Sequence, residues 1–342
     1  MYYDGTKLLS MCDINGEKPE IYICTSNRNA GKTTYFNKYM VNSWFKTNGK
    51  FCLIYRFNYE LDSVSDKFFK DIQALFFPNY TMTSKSRNKG LFHELFINDK
   101  SCGYAITLNS ADQIKKISHL FSDVTKMLFD EFQSETNHYC PEEIKKLISV
   151  HTSLARGRGE QVKYLPLYMV GNPVSLLNPY YVSLNISSRL TNDVKFLRGN
   201  GFVLEQGFVE SASKLQEKSA FNRAFENEAY IAYAAQNVYL NDNTSFIEQP
   251  QGQGKYCCTL RYNKVDYGIR EYATKGIVYC NKNADATFPI RICVTTEDHN
   301  TNYIMLRKNS YILDTLRFYF EQGCFRFKDI QCKEALLASI SY

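Results

Sequence analysis

The sequence predicts an α/β protein: a phosphate-loop domain over residues 1–208, a helical linker over 209–240 and a small second domain over 241–342. Three observations predict it. Short β-branched and aromatic runs alternate with segments of helical spacing, the pattern of a sheet covered on both faces by helices. A loop with the spacing of a phosphate cradle separates the first such run from the first helix. Further on, an apolar run ends in two adjacent acids.

The chain has 342 residues. A single hydrophobic core seldom grows past roughly 250–300 residues, so two domains are expected. Apolar residues make up 44% and charged residues 22%, which excludes a disordered chain. A net charge of +6 excludes a histone-like basic coat. Contact with a polyanion must therefore come from folded patches or from several subunits acting together. The opening Met-Tyr-Tyr-Asp carries no basic stretch leading into an apolar one, so the 11 cysteines are expected to be reduced. Cys257, Cys258, Cys280, Cys293, Cys324 and Cys332 do not form two close pairs, and only His299 lies near them, which is not a zinc pattern. The most apolar passage, 164–186, is broken by Pro166, Gly171-Asn172-Pro173 and Asn178-Pro179. It cannot cross a bilayer as one helix, and no membrane partner is expected.

Taken in order, residues 20–25 read as a strand and 33–45 as a helix. Residues 51–55 form a second buried strand, followed by a helix over 65–76 whose Phe68, Phe69, Ile72, Leu75 and Phe76 can share one face. Residues 89–98 and 102–108 suggest a hairpin turning at 98–101, inserted before a helical stretch at 112–120. A strand at 125–129, a helix at 141–153 started by Pro-Glu-Glu, and a buried strand at 164–170 complete the first sheet. Residues 210–236 read as helical, with Leu215, Phe221, Phe225, Tyr230 and Tyr233 as anchors. Asn241-Asp242-Asn243 breaks this pattern. Beyond it, 256–262, 267–272, 276–280 and 290–295 are strand candidates and 311–322 a helix.

Ser26-Asn27-Arg28-Asn29-Ala30-Gly31-Lys32-Thr33 has four residues between Ser26 and Gly31, and Thr34 follows within the helix. Backbone N–H groups of such a loop converge on phosphate oxygens at the positive end of a helix. Lys32 would add charge near the β- and γ-phosphates of ATP, and the Thr33 hydroxyl would ligate Mg²⁺. Ser26 stands where a glycine is usual, and Asn27 and Asn29 can adopt uncommon turn dihedrals. A plain surface turn is the alternative. Met127-Leu128-Phe129 delivers Asp130 and Glu131 to the sheet edge, Asp130 to hold Mg²⁺ and Glu131 to polarise the attacking water. Asn172, after the strand at 164–170, is either an amide that senses the γ-phosphate or simply a turn former before Pro173. Arg156 and Arg158, spaced by glycines, and Arg28 are candidates for an arginine that reaches a phosphate; a solvated basic loop is the alternative for the first two. These features describe a P-loop, ASCE-type ATPase domain.

The phosphate loop with Arg28, Ile54-Tyr55-Arg56 followed by Glu60-Leu61-Asp62-Ser63, the 127–132 run and Tyr168-Met169-Val170-Gly171-Asn172-Pro173 together resemble the large terminase ATPases. Size and a small carboxy-terminal domain look most like the DNA-encapsidation ATPases of small podoviruses of Gram-positive bacteria. The resemblance implies translocation of double-stranded viral DNA into a procapsid by a ring of subunits, a pentamer in type, at the portal in the host cytoplasm. In some members a structural RNA takes part. It implies nucleotide binding by Lys32 and Thr33, Mg²⁺ at Asp130, catalysis by Glu131, coupling through Asn172, and Arg158, with Arg156 as fallback, reaching the neighbouring subunit's ATP. The second domain would be RNase H-like and degenerate, because Asp266, Asp285 and Asp298 fall in or near turns and assemble no convincing metal triad. Lys255, Arg261, Lys264, Arg270 and Lys275, with Tyr256, Tyr262, Tyr267 and Tyr272, would then contact DNA, RNA or the portal, or merely pack the sheet. Two alternatives stay open: an active metal-dependent nuclease, and a nucleotide-gated scaffold without DNA-dependent turnover.

Overall fold

A computed structural model of the chain describes residues 2–136, 138–156, 162–187, 189–190, 194–225, 245–293, 295–305 and 311–340. Its residues group into two compact units, 1–184 with 189–241, and 185–188 with 242–342.

The first unit is built on a nine-stranded sheet. Its strands are β1 (Ile21–Thr25), β2 (Lys50–Tyr55), β3 (Met82–Arg87), β4 (Phe92–Ile97), β5 (Lys100–Thr107), β6 (Val124–Asp130), β7 (Leu167–Gly171), β8 (Phe196–Gly199) and β9 (Phe202–Gln206), in the order β3-β4-β5-β2-β6-β7-β1-β9-β8. The six strands from β5 to β9 in that order run parallel, and antiparallel pairs close both edges. The central strands are apolar on both faces because helices cover both. Tyr22, Cys24, Leu53, Leu128, Tyr168, Val170 and Val203 meet Phe36, Met40, Val41 and Trp44 of the helix Lys32–Thr47 in one core.

The expected strands at 20–25, 51–55, 125–129 and 164–170 are present as β1, β2, β6 and β7. The hairpin at 89–108 also exists, but it is no insertion. β5 pairs in parallel with β2, and Cys102, Tyr104, Ala105 and Ile106 are buried, so it is a member of the main sheet. In the helix Leu61–Phe76, Phe68, Phe69 and Ile72 are buried, while Leu75 and Phe76 at its last turn are exposed. The helices Glu210–Lys218 and Ala220–Ala224 begin the expected helical stretch, yet Leu215, Phe221 and Phe225 face outward and the buried residues are Ala212 and Ser213. The anchoring expected of those three side chains is corrected accordingly; Tyr230, Tyr233 and 241–243 lie outside the described residues.

The second unit holds a six-stranded sheet, β10 (Lys255–Tyr262), β11 (Val265–Tyr272), β12 (Ile277–Asn281), β13 (Arg291–Cys293), β14 (Ile304–Met305) and β15 (Phe325–Phe327), in the order β14-β13-β10-β11-β12-β15. β10, β11 and β12 form an antiparallel meander; β13 runs parallel to β10, β14 to β13 and β15 to β12. Leu313 and Leu316 of the helix Tyr311–Glu321, and Cys332, Ala335 and Leu336 of Ile330–Ile340, pack with Cys258, Leu260, Ile269 and Cys280. No helix among the described residues is long and apolar enough to cross a membrane.

Candidate nucleotide site

β1, β7 and β6 end in register, Thr25 opposite Gly171 and Asp130 opposite Val170, so three loops leave one edge of the sheet side by side. The loop after β1 turns through Asn29 at φ 58° and Gly31 at φ 89° before the helix starts at Lys32. Both dihedrals lie in the left-handed region, tolerated by asparagine and natural to glycine. Asn27, also a candidate for an unusual turn, does other work: its amide exchanges hydrogen bonds of 3.1 and 3.0 Å with the backbone O and N of Val209. Ser26 and Asn27 are fully buried, and Ala30 accepts a hydrogen bond from Tyr3 N–H at 2.8 Å, so the loop is held from both flanks.

Lys32 Nζ is buried inside this turn, donating to Ser26 O at 3.2 Å, Asn27 O at 3.3 Å and Asn172 Oδ1 at 2.6 Å. Burial lowers its pKa, with the nearby Arg28 charge acting in the same direction and Asp130 and Glu131 against it. Thr33 donates its hydroxyl to Asp130 Oδ1 at 3.2 Å, and Glu131 N–H donates to the same oxygen at 3.0 Å. Burial, then the charge of Glu131, pushes the Asp130 carboxyl up to about 6. Glu131 itself is exposed, on backbone at φ 55°. Arg28 makes an ion pair with Glu135. Thr34 is half-buried in the first turn of the helix.

The structure thus brings Ser26 to Thr34, Asp130, Glu131 and Asn172 together. It does not bring Arg156 to them. Arg156 is exposed and follows the helix Glu143–Leu154, beside Ala155, whose carbonyl accepts from Lys163 N–H at 2.8 Å. Lys163 Nζ in turn donates to Ser122 O and Val124 O, at the start of β6 and hence at the opposite end of the strand from Asp130. Arg158 lies outside the described residues.

Two contributors were given no role by the sequence reading, although one of them, Arg56, stands in the Ile54-Tyr55-Arg56 run that carries part of the family resemblance. Arg56, just past β2, is buried and donates Nε to both Glu143 oxygens at 3.0 and 3.1 Å, Nη1 to Glu131 O at 2.8 Å and Nη2 to Phe132 O. Tyr180 and Cys140 N–H complete the shell around Glu143. The acid loop is thereby fixed from behind by a charge-assisted fork. Gln133 is the second. The pairing of Arg56 with Glu143 does not show in sequence spacing, since they stand 87 positions apart; Arg56's place at a strand end and in a run that carries the family resemblance hinted at the edge.

In the second unit, Arg261 pairs with Asp266 at 3.1 Å and lies 3.9 Å from Asp298, and Arg270 donates to Asn281 at 2.9 Å and sits over the Tyr256 ring. Tyr267 is buried in the core and Tyr262 packs against it, while Lys255, Lys264 and Lys275 are exposed. Asp285 accepts from the backbone and hydroxyl of Thr287.

This sheet, with a loop and two acids at one edge and a separate carboxy-terminal unit after it, has the architecture of an α/β ATPase-like domain. Over its whole length the chain superposes on a chain of the bacteriophage phi29 viral genome packaging motor assembly, with TM-score 0.71, 23% identity and 97% of that chain covered. A chain of the Phi-28 gp11 DNA packaging motor gives TM-score 0.60 at 17% identity, covering 99% of this chain and 97% of that one. The chain belongs to the podovirus DNA encapsidation protein (Gp16) family, whose model matches residues 1–339. It is 28% identical over 336 residues to a DNA packaging protein of Bacillus phage phi29, covering 96% of this chain and 93% of that protein. It is 26% identical over 304 residues to one of Bacillus phage B103, covering 88% and 90%.

Proposed function

We propose that the protein is an ATP-driven motor subunit that moves double-stranded viral DNA into a procapsid as one member of a ring. The observation that carries this reading is the convergence of Lys32, Thr33, Asp130, Glu131 and Asn172 at one sheet edge, in a family whose members encapsidate DNA. β7 stands between β1, which bears the loop, and β6, which bears the acids, the additional strand of the ASCE type.

In this reading the turn 26–31 cradles the β- and γ-phosphates with backbone N–H groups, and Lys32 exchanges its carbonyl contacts for phosphate oxygens. The donor set suits a hard cation: the Thr33 hydroxyl and Asp130 carboxylate, already in contact, would hold Mg²⁺, which would offset charge on the phosphates. Glu131, with its carboxylate exposed at the edge, orients and deprotonates the attacking water. Asn172, now paired with Lys32, reports arrival of the γ-phosphate when that pairing is exchanged. Arg156 sits at the far end of the sheet from the loop of its own subunit; by the family resemblance Arg158, with Arg156 as fallback, acts on a neighbouring subunit's nucleotide, with Arg28 as the candidate within the subunit. A ring of five, the portal, a structural RNA and the host cytoplasm are the setting the family resemblance suggests.

The second unit reads as a degenerate RNase H-like domain. Its order β12-β11-β10-β13-β14, with three antiparallel strands and two parallel ones, supports that fold. Absence of nuclease chemistry is favoured by Asp266 and Asp298 being engaged with Arg261, and by β10 and β13 carrying no acid. Exposed Lys255, Lys264 and Lys275 are the DNA, RNA or portal contacts.

The test is ATP turnover by the purified protein with and without double-stranded DNA across a salt series. Stimulation should fall steeply as salt rises, because the contacts are to phosphates, and should vanish in Lys32→Ala. A protein that neither binds nor hydrolyses ATP ends this reading; turnover indifferent to DNA leaves a nucleotide-gated scaffold, and metal-dependent DNA cutting an active nuclease.

A further inference from the structure

One side chain bridges the loop after β6 to the loop after β7. Gln133 is 4% exposed, and its Oε1 accepts from Val174 N–H at 3.1 Å and Ser175 N–H at 2.9 Å. Both partners are donors, so only the carboxamide oxygen can face them, and the orientation of the amide is settled by its bonding. Its Nε2 is buried and, among the described residues, meets no partner. Burying an amide donor without an acceptor is unfavourable, and the bonded end of this side chain is its oxygen.

What it holds is the turn behind Asn172. Val174 N–H is shared with Asn172 O at 2.9 Å, and Asn172 Oδ1 is the acceptor for Lys32 Nζ. At the other end, Gln133 is two residues past Glu131. The two loops also meet directly: Phe132 N–H donates to Val170 O at 3.2 Å, and a Cβ on Gly171 would stand 3.1 Å from the Phe132 ring and 3.8 Å from Gln133 N. The seam is close-packed, so a shift of the acid loop is passed to the Asn172 loop through Gln133 rather than absorbed by empty space.

We propose that Gln133 is the positioning residue for Asn172, tying the amide at Lys32 to the loop that carries Glu131. The proposal rests on the ATP-hydrolysis reading above, and its test separates the two. Steady-state kcat and KM are measured for wild type, Gln133→Leu, Asn172→Ala, the double variant and Gln133→Glu. Gln133→Leu should lower kcat about tenfold or more with KM within about threefold, because misplacement of a reacting-site group costs rate rather than substrate binding. Added to Asn172→Ala it should cost nothing further, since one acts through the other. Gln133→Glu keeps an acceptor for both N–H groups but buries a carboxyl two residues from Glu131, so its kcat should lie between those of Gln133→Leu and wild type. Multiplicative losses in the double variant, unchanged turnover in Gln133→Leu or Asn172→Ala, or a Glu variant as poor as Leu each overturn the proposal. Should Gln133→Leu fail to fold, Gln133→Met carries the same comparison. A wild type without turnover overturns the reading of the site itself.

Discussion

Within the candidate site, Asp130 is a carboxyl that burial changes strongly. Its carboxyl titrates at about 6 against the usual 3.8, because burial and the Glu131 charge outweigh Lys32 and the Thr33 hydroxyl. A folded-state value raised above the unfolded one means that the native chain holds this proton more tightly. The stabilising contribution is therefore full below pH 3.8 and is lost as pH rises toward 6. In the proposed site Asp130 holds Mg²⁺ as the carboxylate, so affinity for Mg²⁺-ATP should rise with pH up to about 6 and then level off, and Asp130→Asn should flatten this rise in equilibrium binding. Glu131→Gln should leave ATP binding intact and lower kcat by about 10²- to 10⁴-fold in single-turnover measurements. These residue types were legible from the loop spacing and from the apolar run into paired acids. The hydrogen bond between Lys32 and Asn172 was not, because nothing in a linear sequence tells which of an amide's partners is nearest.

At the scale of elements, the strands bearing the site were readable because each is a short apolar run between turn residues, and burial on both faces leaves no polar alternation to misread. β8 and β9 carried a signal that went unused: Gly199-Asn200-Gly201 between Phe-Leu-Arg and Phe-Val-Leu is hairpin chemistry, and Gly201 adopts φ 75° there. Of the hairpin at 89–108, the second strand, β5, was recognised, but its pairing with β2 was not, since parallel pairing joins segments far apart in the chain. The helical face at 215–225 failed for a related reason: helical spacing shows that side chains can align, and a neighbouring surface decides whether they are covered. Arg56 and Glu143 hold the start of the acid loop to the helix Glu143–Leu154. Removing either partner of a buried, hydrogen-bonded pair leaves a bare charge. Arg56→Ala or Glu143→Ala should thus cost about 3–5 kcal/mol in denaturant unfolding.

At the scale of the molecule, Arg156 lies at the opposite end of the sheet from the loop 26–34, so in the proposed motor it serves another subunit's nucleotide or none. Mixing Arg158→Ala subunits with wild type should depress ATP turnover beyond simple dilution, and the same titration with Arg156→Ala identifies which arginine acts; proportional loss for both ends the trans assignment. The sequence by itself determined the α/β class, the turn at 26–31 between strand and helix, the paired acids and the family likeness, because these are local patterns whose chemistry is set by neighbours in the chain. Only the tertiary structure decided that β5 belongs to the main sheet, that Arg56 braces the acid loop, that Gln133 joins that loop to the turn after Asn172, and that Asn172 sits on Lys32. Such contacts link positions tens of residues or more apart, and burial gives them their strength.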